Sequence, residues 1–274
     1  MLSNLLNKNF FIRTASGVVL GVTLLVATLY NELTNFILFS VIGLMSLNEM
    51  LKNLLPKDIK VKRQFGLLVS FAILTFFGVY KFGYIDSTIF YAIIVLLITI
   101  RLAGEMFTAN TNPIHNISYE LFSIFYTIVP MMMLTTLPAK LVIAVLFIIW
   151  ANDVGAYMIG VTFGKHRLCV RLSPKKSIEG FVGGLVVAGI VAYFSSELAV
   201  GFNQVTWCLT AILIAILGVC GDLFESMIKR SVEIKDSGDS IPGHGGFLDR
   251  FDALIFATPI VWAIYFLIEN YTNI

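Results

Sequence analysis

The residues best suited to chemistry lie in a polar stretch, residues 226–252, of an otherwise apolar chain. The stretch contains four lysines or arginines, five aspartates or glutamates and four glycines. Glycines let a backbone approach a ligand closely, and proteins bind Mg²⁺ through one or two carboxylates together with substrate phosphates. Neighbouring cations would contact the phosphate oxygens directly. The mixture of both signs therefore predicts a site for a polyphosphate with Mg²⁺, and a second cation remains open.

A helix with one polar face leads into this stretch. Asp222, Glu225, Ser226 and Lys229 fall at positions i, i+3, i+4 and i+7, so they share one face of a helix. Within a membrane, such a face contacts protein or water rather than lipid. We expect it to form part of the binding site; the alternative is a salt bridge between Lys229 and one of the two acids.

A further acid, Asp153, follows an apolar run that begins at Leu141. At 1.5 Å per residue it lies about 18 Å along a membrane helix. A carboxylate at that depth costs roughly 2.5 to 3.5 kcal/mol unless it meets a cation, a hydrogen-bond donor or water. Asp153 therefore indicates either an interhelical hydrogen bond or a polar cavity that opens to the cytoplasm.

Residues 163–178 form a basic loop with a predicted helix start. Ser173 followed by Pro174 is typical of an N-cap and a first helical position. Lys175 and Lys176 would then lie beside the free amides at the positive end of the helix, an arrangement suited to phosphate. The alternative is a loop whose charge serves only to set membrane topology.

The composition identifies an all-α polytopic integral membrane protein, because 58% of the residues are hydrophobic and only 13% are charged. A span needs roughly 20 apolar residues. We predict about nine transmembrane helices, the first being a span and not a removed signal peptide. Their ranges are 14–30, 33–51, 65–80, 88–100, 119–137, 141–162, 179–197, 205–228 and 252–268.

The lysines and arginines predict the orientation of these helices. With a cytoplasmic N-terminus, 17 of the 19 fall on the cytoplasmic side, and only Lys81 and Lys140 on the other. The polar catalytic pocket then faces the cytoplasm. Residues 1–140 would supply about five helices, and residues 141–274 the catalytic region with cytoplasmic loops 163–178 and 229–251. Basic loops of this kind also attract anionic membrane lipids.

At these residues the chain resembles the phosphatidate cytidylyltransferase (CDP-diacylglycerol synthase) family. The family signature is matched by Ser226, Lys229, Arg230, Lys235, Asp236, Gly238, Ile241, Pro242, His244, Gly245, Gly246, Asp249, Arg250 and Asp252. Segments 153–157, 163–166, 173–176 and 179–180 are also similar, so specific similarity covers about residues 150–252. Val161 is a departure, because family members commonly carry arginine there; Lys165 and Arg167 could substitute for it.

The resemblance implies that CTP and phosphatidic acid give CDP-diacylglycerol and pyrophosphate in phospholipid biosynthesis. It implies Asp222 and Asp249 as metal ligands, with Mg²⁺ as cofactor. The implied catalytic residues are Asp222, Asp249, Lys229, Arg230 and His244, the last of which could instead stabilise its loop. The implied substrate contacts are Asp153, Lys165, Ser173, Lys175, Lys176, Glu225, Ser226, Lys235, Asp236, Gly245, Gly246 and Arg250.

Two other functions remain open at this point. A CTP-dependent lipid-alcohol kinase would use similar loop chemistry, and a secondary transporter of a phosphorylated metabolite would also carry charges within the membrane. We expect the cell (inner) membrane as location and no nucleic-acid partner, and a homodimer stays open. The three cysteines lack metal-type spacing and are expected to be ordinary thiols.

Overall fold

A computed structural model describes residues 2–272 except residues 109, 111 and 244. The described residues form nine α-helices and one two-stranded antiparallel sheet. In chain order the elements are α1 (Leu2–Tyr30), α2 (Glu32–Asn53), α3 (Arg63–Lys81), α4 (Ser87–Met106), α5 (Pro113–Thr136), α6 (Ala139–Phe163), β1 (Arg167–Cys169), β2 (Ser173–Ser177), α7 (Ile178–Phe194), α8 (Gln204–Ser231) and α9 (Leu248–Thr272).

Eight of these helices are long and apolar enough to cross a membrane, and the prediction of an all-α polytopic membrane protein is confirmed. The shorter α7 has 17 residues, or about 25 Å at 1.5 Å per residue. It nevertheless runs between opposite ends of the bundle. Its N-cap Ser177 lies beside Gly160 near the end of α6. Ser195, just after α7, accepts a hydrogen bond of 3.3 Å from Trp207 near the start of α8. The assignment of α7 as a ninth span stays a prediction.

Helix α4 continues six residues beyond its predicted end, so Arg101 and Glu105 belong to a helix and not to a loop. Both side chains are buried. Arg101 forms ion pairs with Glu105 at 3.1 Å and with Glu120 of α5 at 2.6 Å. Because the charges are paired, the helix can continue through them without exposing a lone ion to an apolar environment.

The main hydrophobic core lies between α5, α6, α8 and α9, with Trp207, Met131 and Ile148 fully buried. A smaller cluster around Leu47 and Ile128 joins α2 and α3 to α5. Among the eight candidate membrane spans, those in α1 and α4 are the least buried. Their exposed apolar side chains fit a position facing lipid. Residues from 1–140 and from 141–274 both enter the main core.

The ends of the helices form two separate polar regions. At one end, α2, α6, α8 and α9 meet around the predicted catalytic residues. At the other end, Lys81 of α3 pairs with Glu32 of α2 at 3.2 Å, and Trp262 donates to Thr136 at 2.9 Å. Lys81 is one of the two cations predicted to lie away from the others, and it lies at this second end. Which end faces the cytoplasm stays a prediction.

The predicted helix start at Ser173 is wrong. Residues 173–177 form β2, which pairs with β1 so that Cys169 faces Ser173 and Arg167 faces Ser177. The helix begins four residues later, where the Ser177 side chain caps α7 by accepting a hydrogen bond of 3.1 Å from Gly180 N. The Ser-Pro pair is compatible with an edge strand as well as with a helix start, and strand pairing decides between them here.

Candidate active site

A cavity of about 630 Å³ opens at the end of the bundle that carries the predicted catalytic residues. Its polar lining consists of six acids and three cations from β2, α6, α8, α9 and the loop before α9. They are Asp153, Asp222, Glu225, Asp236, Asp249, Asp252, Lys176, Lys229 and Arg250. The lining also includes apolar side chains, among them Leu20, Leu24, Leu146 and Ile149 of α1 and α6. The cavity therefore offers both charged and apolar contacts to a ligand.

The polar face predicted on α8 is present. The Ser226 hydroxyl donates a hydrogen bond to Asp222 at 3.4 Å, and Lys229 Nζ donates to Glu225 at 2.5 Å, one helical turn away. Glu225, Ser226 and Lys229 are all buried. The alternative interpretation, a salt bridge within this face, is thus also correct for Glu225 and Lys229. The salt bridge does not exclude a role in the binding site, because both side chains line the cavity.

Lys229 joins α8 to α9, since its Nζ also donates to Asp249 Oδ1 at 2.7 Å. Two carboxylates therefore share one ammonium group. Glu225 Oε1 is buried without a hydrogen-bond partner among the described residues. A buried carboxylate oxygen in this state attracts a further cation or donor.

Asp249 also holds the loop before α9. Its carboxylate accepts hydrogen bonds from Ser237 N at 3.0 Å and from Gly246 N at 3.0 Å. Gly245 has a φ of +88°, a conformation that residues with a Cβ rarely adopt, and a Cβ there would lie 2.9 Å from Asp249 Oδ2. Gly245 and Gly246 were predicted to let the backbone approach a ligand closely. In the structure, the backbone at both glycines lies close to the Asp249 carboxylate of the protein itself. The role of Asp249 as a metal ligand stays a prediction.

Asp222 pairs with Lys176 of β2 at 2.5 Å, and these side chains are 39% and 28% exposed. The pair lies where the cavity meets a second one of about 580 Å³, beside the β-hairpin. Asp153, Lys176 and Asp222 line both cavities. Val161, where the family commonly carries arginine, lines the second cavity together with Arg167 and Lys175.

Several predicted residues lie away from both cavities. Lys165 is exposed, and its backbone N–H donates to Glu179 at 3.0 Å. Arg230 donates to the carbonyl of Ile234 at 2.7 Å. Lys235 and Ser173 also line neither cavity. His244 lies outside the described residues, so its predicted role stays a prediction.

The charge of the main cavity fits a divalent cation. Its six acidic and three cationic lining residues have a formal net charge of −3, which would repel a triphosphate. Among the described residues, no group of three or more ligating side chains could hold a metal ion by itself. Proteins hold Mg²⁺ through one or two carboxylates together with substrate phosphates. The two predicted ligands, Asp222 and Asp249, both line the cavity, and Asp252 is a further suitable carboxylate.

Sequence reasoning missed Glu49, which lies on α2 and is only 2% exposed. Its carboxylate accepts hydrogen bonds from the loop before α9. One signal was available, because an acid within an otherwise apolar span marks a functional position by default. The spacing rules that found the α8 face could not find Glu49, since its partners lie nearly 200 residues away in the chain.

The fold and the cavity together are those of a helical membrane protein with an acid-rich, amphipathic cavity at one end of its bundle. The chain belongs to the cytidylyltransferase family, whose sequence profile matches residues 11–268. The resemblance inferred from the signature residues is thereby confirmed.

Individual relatives agree with this assignment. The chain is 28% identical over 266 residues to the phosphatidate cytidylyltransferase of Bacillus subtilis, covering 95% of this chain and 98% of that protein. It is 45% identical over 116 residues to the phosphatidate cytidylyltransferase of Staphylococcus saprophyticus, covering 42% of this chain and 44% of that protein. The corresponding protein of Staphylococcus haemolyticus is 46% identical over 116 residues, with the same shares.

Proposed function

We propose that this chain transfers the cytidylyl group of CTP to phosphatidic acid, giving CDP-diacylglycerol and pyrophosphate. The family assignment and the names of the relatives support this reaction. The structural observation that carries it is the cavity, whose lining combines acids, lysines and an arginine with apolar side chains. A lipid phosphate would contact the charged residues while its acyl chains contact the apolar ones.

In this reaction a phosphate oxygen of the lipid attacks the α-phosphorus of CTP. The bond from that phosphorus to the oxygen bridging to the β-phosphate breaks, and pyrophosphate leaves with that oxygen. No covalent intermediate with the protein is required, so the protein contributes positioning and electrostatic stabilisation. Lys176, Lys229 and Arg250 line the cavity and would contact phosphate oxygens. A bound Mg²⁺ would offset phosphate charge and orient the leaving pyrophosphate.

The two cavities suggest how two substrates are accommodated at once. Lys176 and Asp222 line both, so a phosphate in either cavity lies near the same ion pair. We place the cavities on the cytoplasmic side of the cell membrane, because CTP is soluble and 17 of the 19 lysines and arginines are predicted there.

Purified protein in detergent with phosphatidic acid tests the reaction. With CTP labelled at the α-phosphorus we expect label in the lipid, and with CTP labelled at the γ-phosphorus we expect it in pyrophosphate. Transfer of the γ-label to a lipid alcohol would instead identify a kinase, and no transfer of either label would favour the transporter. Removal of divalent cations by a chelator should abolish α-label transfer, and added Mg²⁺ should restore it; full activity with the chelator would refute the cofactor proposal.

A further inference from the structure

The carboxylate of Glu49 is bound by four donors from one distant segment. Ser237 Oγ donates to Oε2 at 2.9 Å and Ser240 Oγ to Oε1 at 2.7 Å. The backbone amides of Phe247 and Leu248 donate at 2.9 and 3.0 Å. No lysine or arginine among the described residues forms an ion pair with Glu49. The charge of this buried group is therefore balanced by hydrogen bonds from the segment alone.

Two of these donors lie at the beginning of α9, which starts at Leu248. The first backbone N–H groups of a helix have no partner within it, and the positive end of the helix dipole favours a negative charge there. Glu49 thus caps α9 from a different helix. The start of α9 also carries Asp249, Arg250 and Asp252, all of which line the main cavity.

Ser237 connects this cap to Asp249, which lines the cavity, and the Ser237 side chain is fully buried. Its hydroxyl donates to Glu49, its backbone N–H to Asp249, and its carbonyl accepts from Asn53 Nδ2 at 2.7 Å. Glu49 and Asp249 therefore hold the same residue from two directions. A displacement of the Glu49 contacts would be transmitted directly to Asp249 and, through it, to Lys229.

The contact with Glu49 also explains why two positions of the signature are glycines. A Cβ at Gly246 would collide with Glu49 Oε2 and with Ser237 Oγ, and a Cβ at Gly238 would lie 2.9 Å from Glu49 Oε1. Both positions are next to Glu49 because the loop folds around its carboxylate. Their small size serves this contact within the protein.

We propose that Glu49 is a positioning residue for the transfer reaction: by capping α9 and fixing Ser237, its carboxylate holds Asp249 and Lys229 in the geometry the reaction needs. Glu49 itself lines neither cavity. This inference rests on the proposed function only for its kinetic test, because the arrangement of the loop can be measured separately.

The test compares Glu49→Gln and Glu49→Asp with Glu32→Gln, a control on the other end of the same helix, where the side chain is exposed. In Glu49→Gln an amide NH₂ faces donors that need an acceptor. We expect kcat per folded molecule to fall roughly 10- to 100-fold, with KM for CTP changed less than about threefold. The shorter Glu49→Asp keeps the charge and should recover part of the lost kcat. Glu32→Gln should behave as the wild type.

A second readout reports on the loop without activity. Trypsin cleavage after the exposed Lys235 should be faster in Glu49→Gln than in the wild type and in Glu32→Gln. If Glu49→Gln does not fold, Ser240→Ala removes one donor and should show the same changes in weaker form. Wild-type kcat together with wild-type cleavage in the folded variants would overturn the inference. A wild-type protein without transferase activity would refute the proposed function, while the cleavage rates would still show whether Glu49 holds the loop before α9.

Discussion

At the scale of single residues, both lysines of the cavity are already paired with its acids. Lys176 pairs with Asp222, and Lys229 with Glu225 and Asp249. A phosphate that binds must therefore take over a lysine that already has a partner, and the carboxylate released in the exchange becomes available to a cation. In the proposed mechanism, Asp222 would pair with Lys176 before binding and would face the Mg²⁺ afterwards.

For that reason we expect Asp222→Asn to lower kcat/KM on the order of 100-fold, the scale of losing one preorganised electrostatic group. Expression and thermal stability should stay close to those of the wild type, because the Asp222 side chain is 39% exposed. The measurement is α-label transfer from CTP, normalised to folded protein. Asp58→Asn is the matched control, an exposed aspartate away from both cavities; activity of Asp222→Asn at the control level would remove Asp222 from the site.

The sequence was informative about the polar residues of α8, whose partners lie within two turns of the same helix. The face of Asp222, Glu225 and Lys229 was predicted from spacing alone, because helical geometry dictates it. Glu49 could not be assigned a role in this way, since its partners come from another helix and its contacts depend on tertiary packing.

At the scale of elements, the β-hairpin replaces a predicted helical turn and separates two neighbouring lysines. In β2, Lys176 reaches Asp222 while Lys175 is exposed beside the second cavity. The local Ser-Pro signal was misleading because pairing with β1 extends the chain as far as Ser177. Helix lengths were predicted well in the apolar interior and poorly where buried charges are paired, as at Arg101 in α4.

The two serines of β2 provide a test of this correction. Ser177→Ala removes the cap of α7 and should destabilise the protein by about 1 kcal/mol. Ser173→Ala should be neutral, since the Ser173 side chain has no hydrogen-bond partner among the described residues. For a chain of this size the difference corresponds to a fall of about 2 to 4 °C in the midpoint of thermal unfolding in detergent. Equal midpoints, or a larger fall for Ser173→Ala, would argue for the helix start at Ser173.

At the scale of the whole molecule, the helices run between two polar ends. The predicted cytoplasmic loops 163–178 and 229–251 both contribute to the cavity, and Lys81 lies at the opposite end. The number of helices and their approximate limits could be predicted because long apolar runs are unmistakable. The packing order of the helices could not, since apolar side chains on different spans look alike in sequence.

Single cysteines in a variant lacking Cys169, Cys208 and Cys220 test the orientation and the status of α7. A membrane-impermeant maleimide applied to intact cells should label Lys140→Cys and Glu197→Cys, both exposed positions. Lys57→Cys, exposed at the other end, should react only after the membrane is permeabilised. The reverse pattern would invert the topology. Labelling of Glu197→Cys only after permeabilisation, with Lys140→Cys reacting in intact cells, would show that α7 does not cross.

The contact between Glu49 and the start of α9 also determines when the cavity is completed during synthesis. Glu49 lies on the second described helix to leave the ribosome, whereas Phe247 and Leu248 precede or begin the last. A nascent chain that ends after α8 already carries Lys176, Asp222 and Lys229, but it lacks Asp249 and the loop that Glu49 organises. In the proposed mechanism, which uses Asp249, activity would therefore begin only when α9 has been inserted.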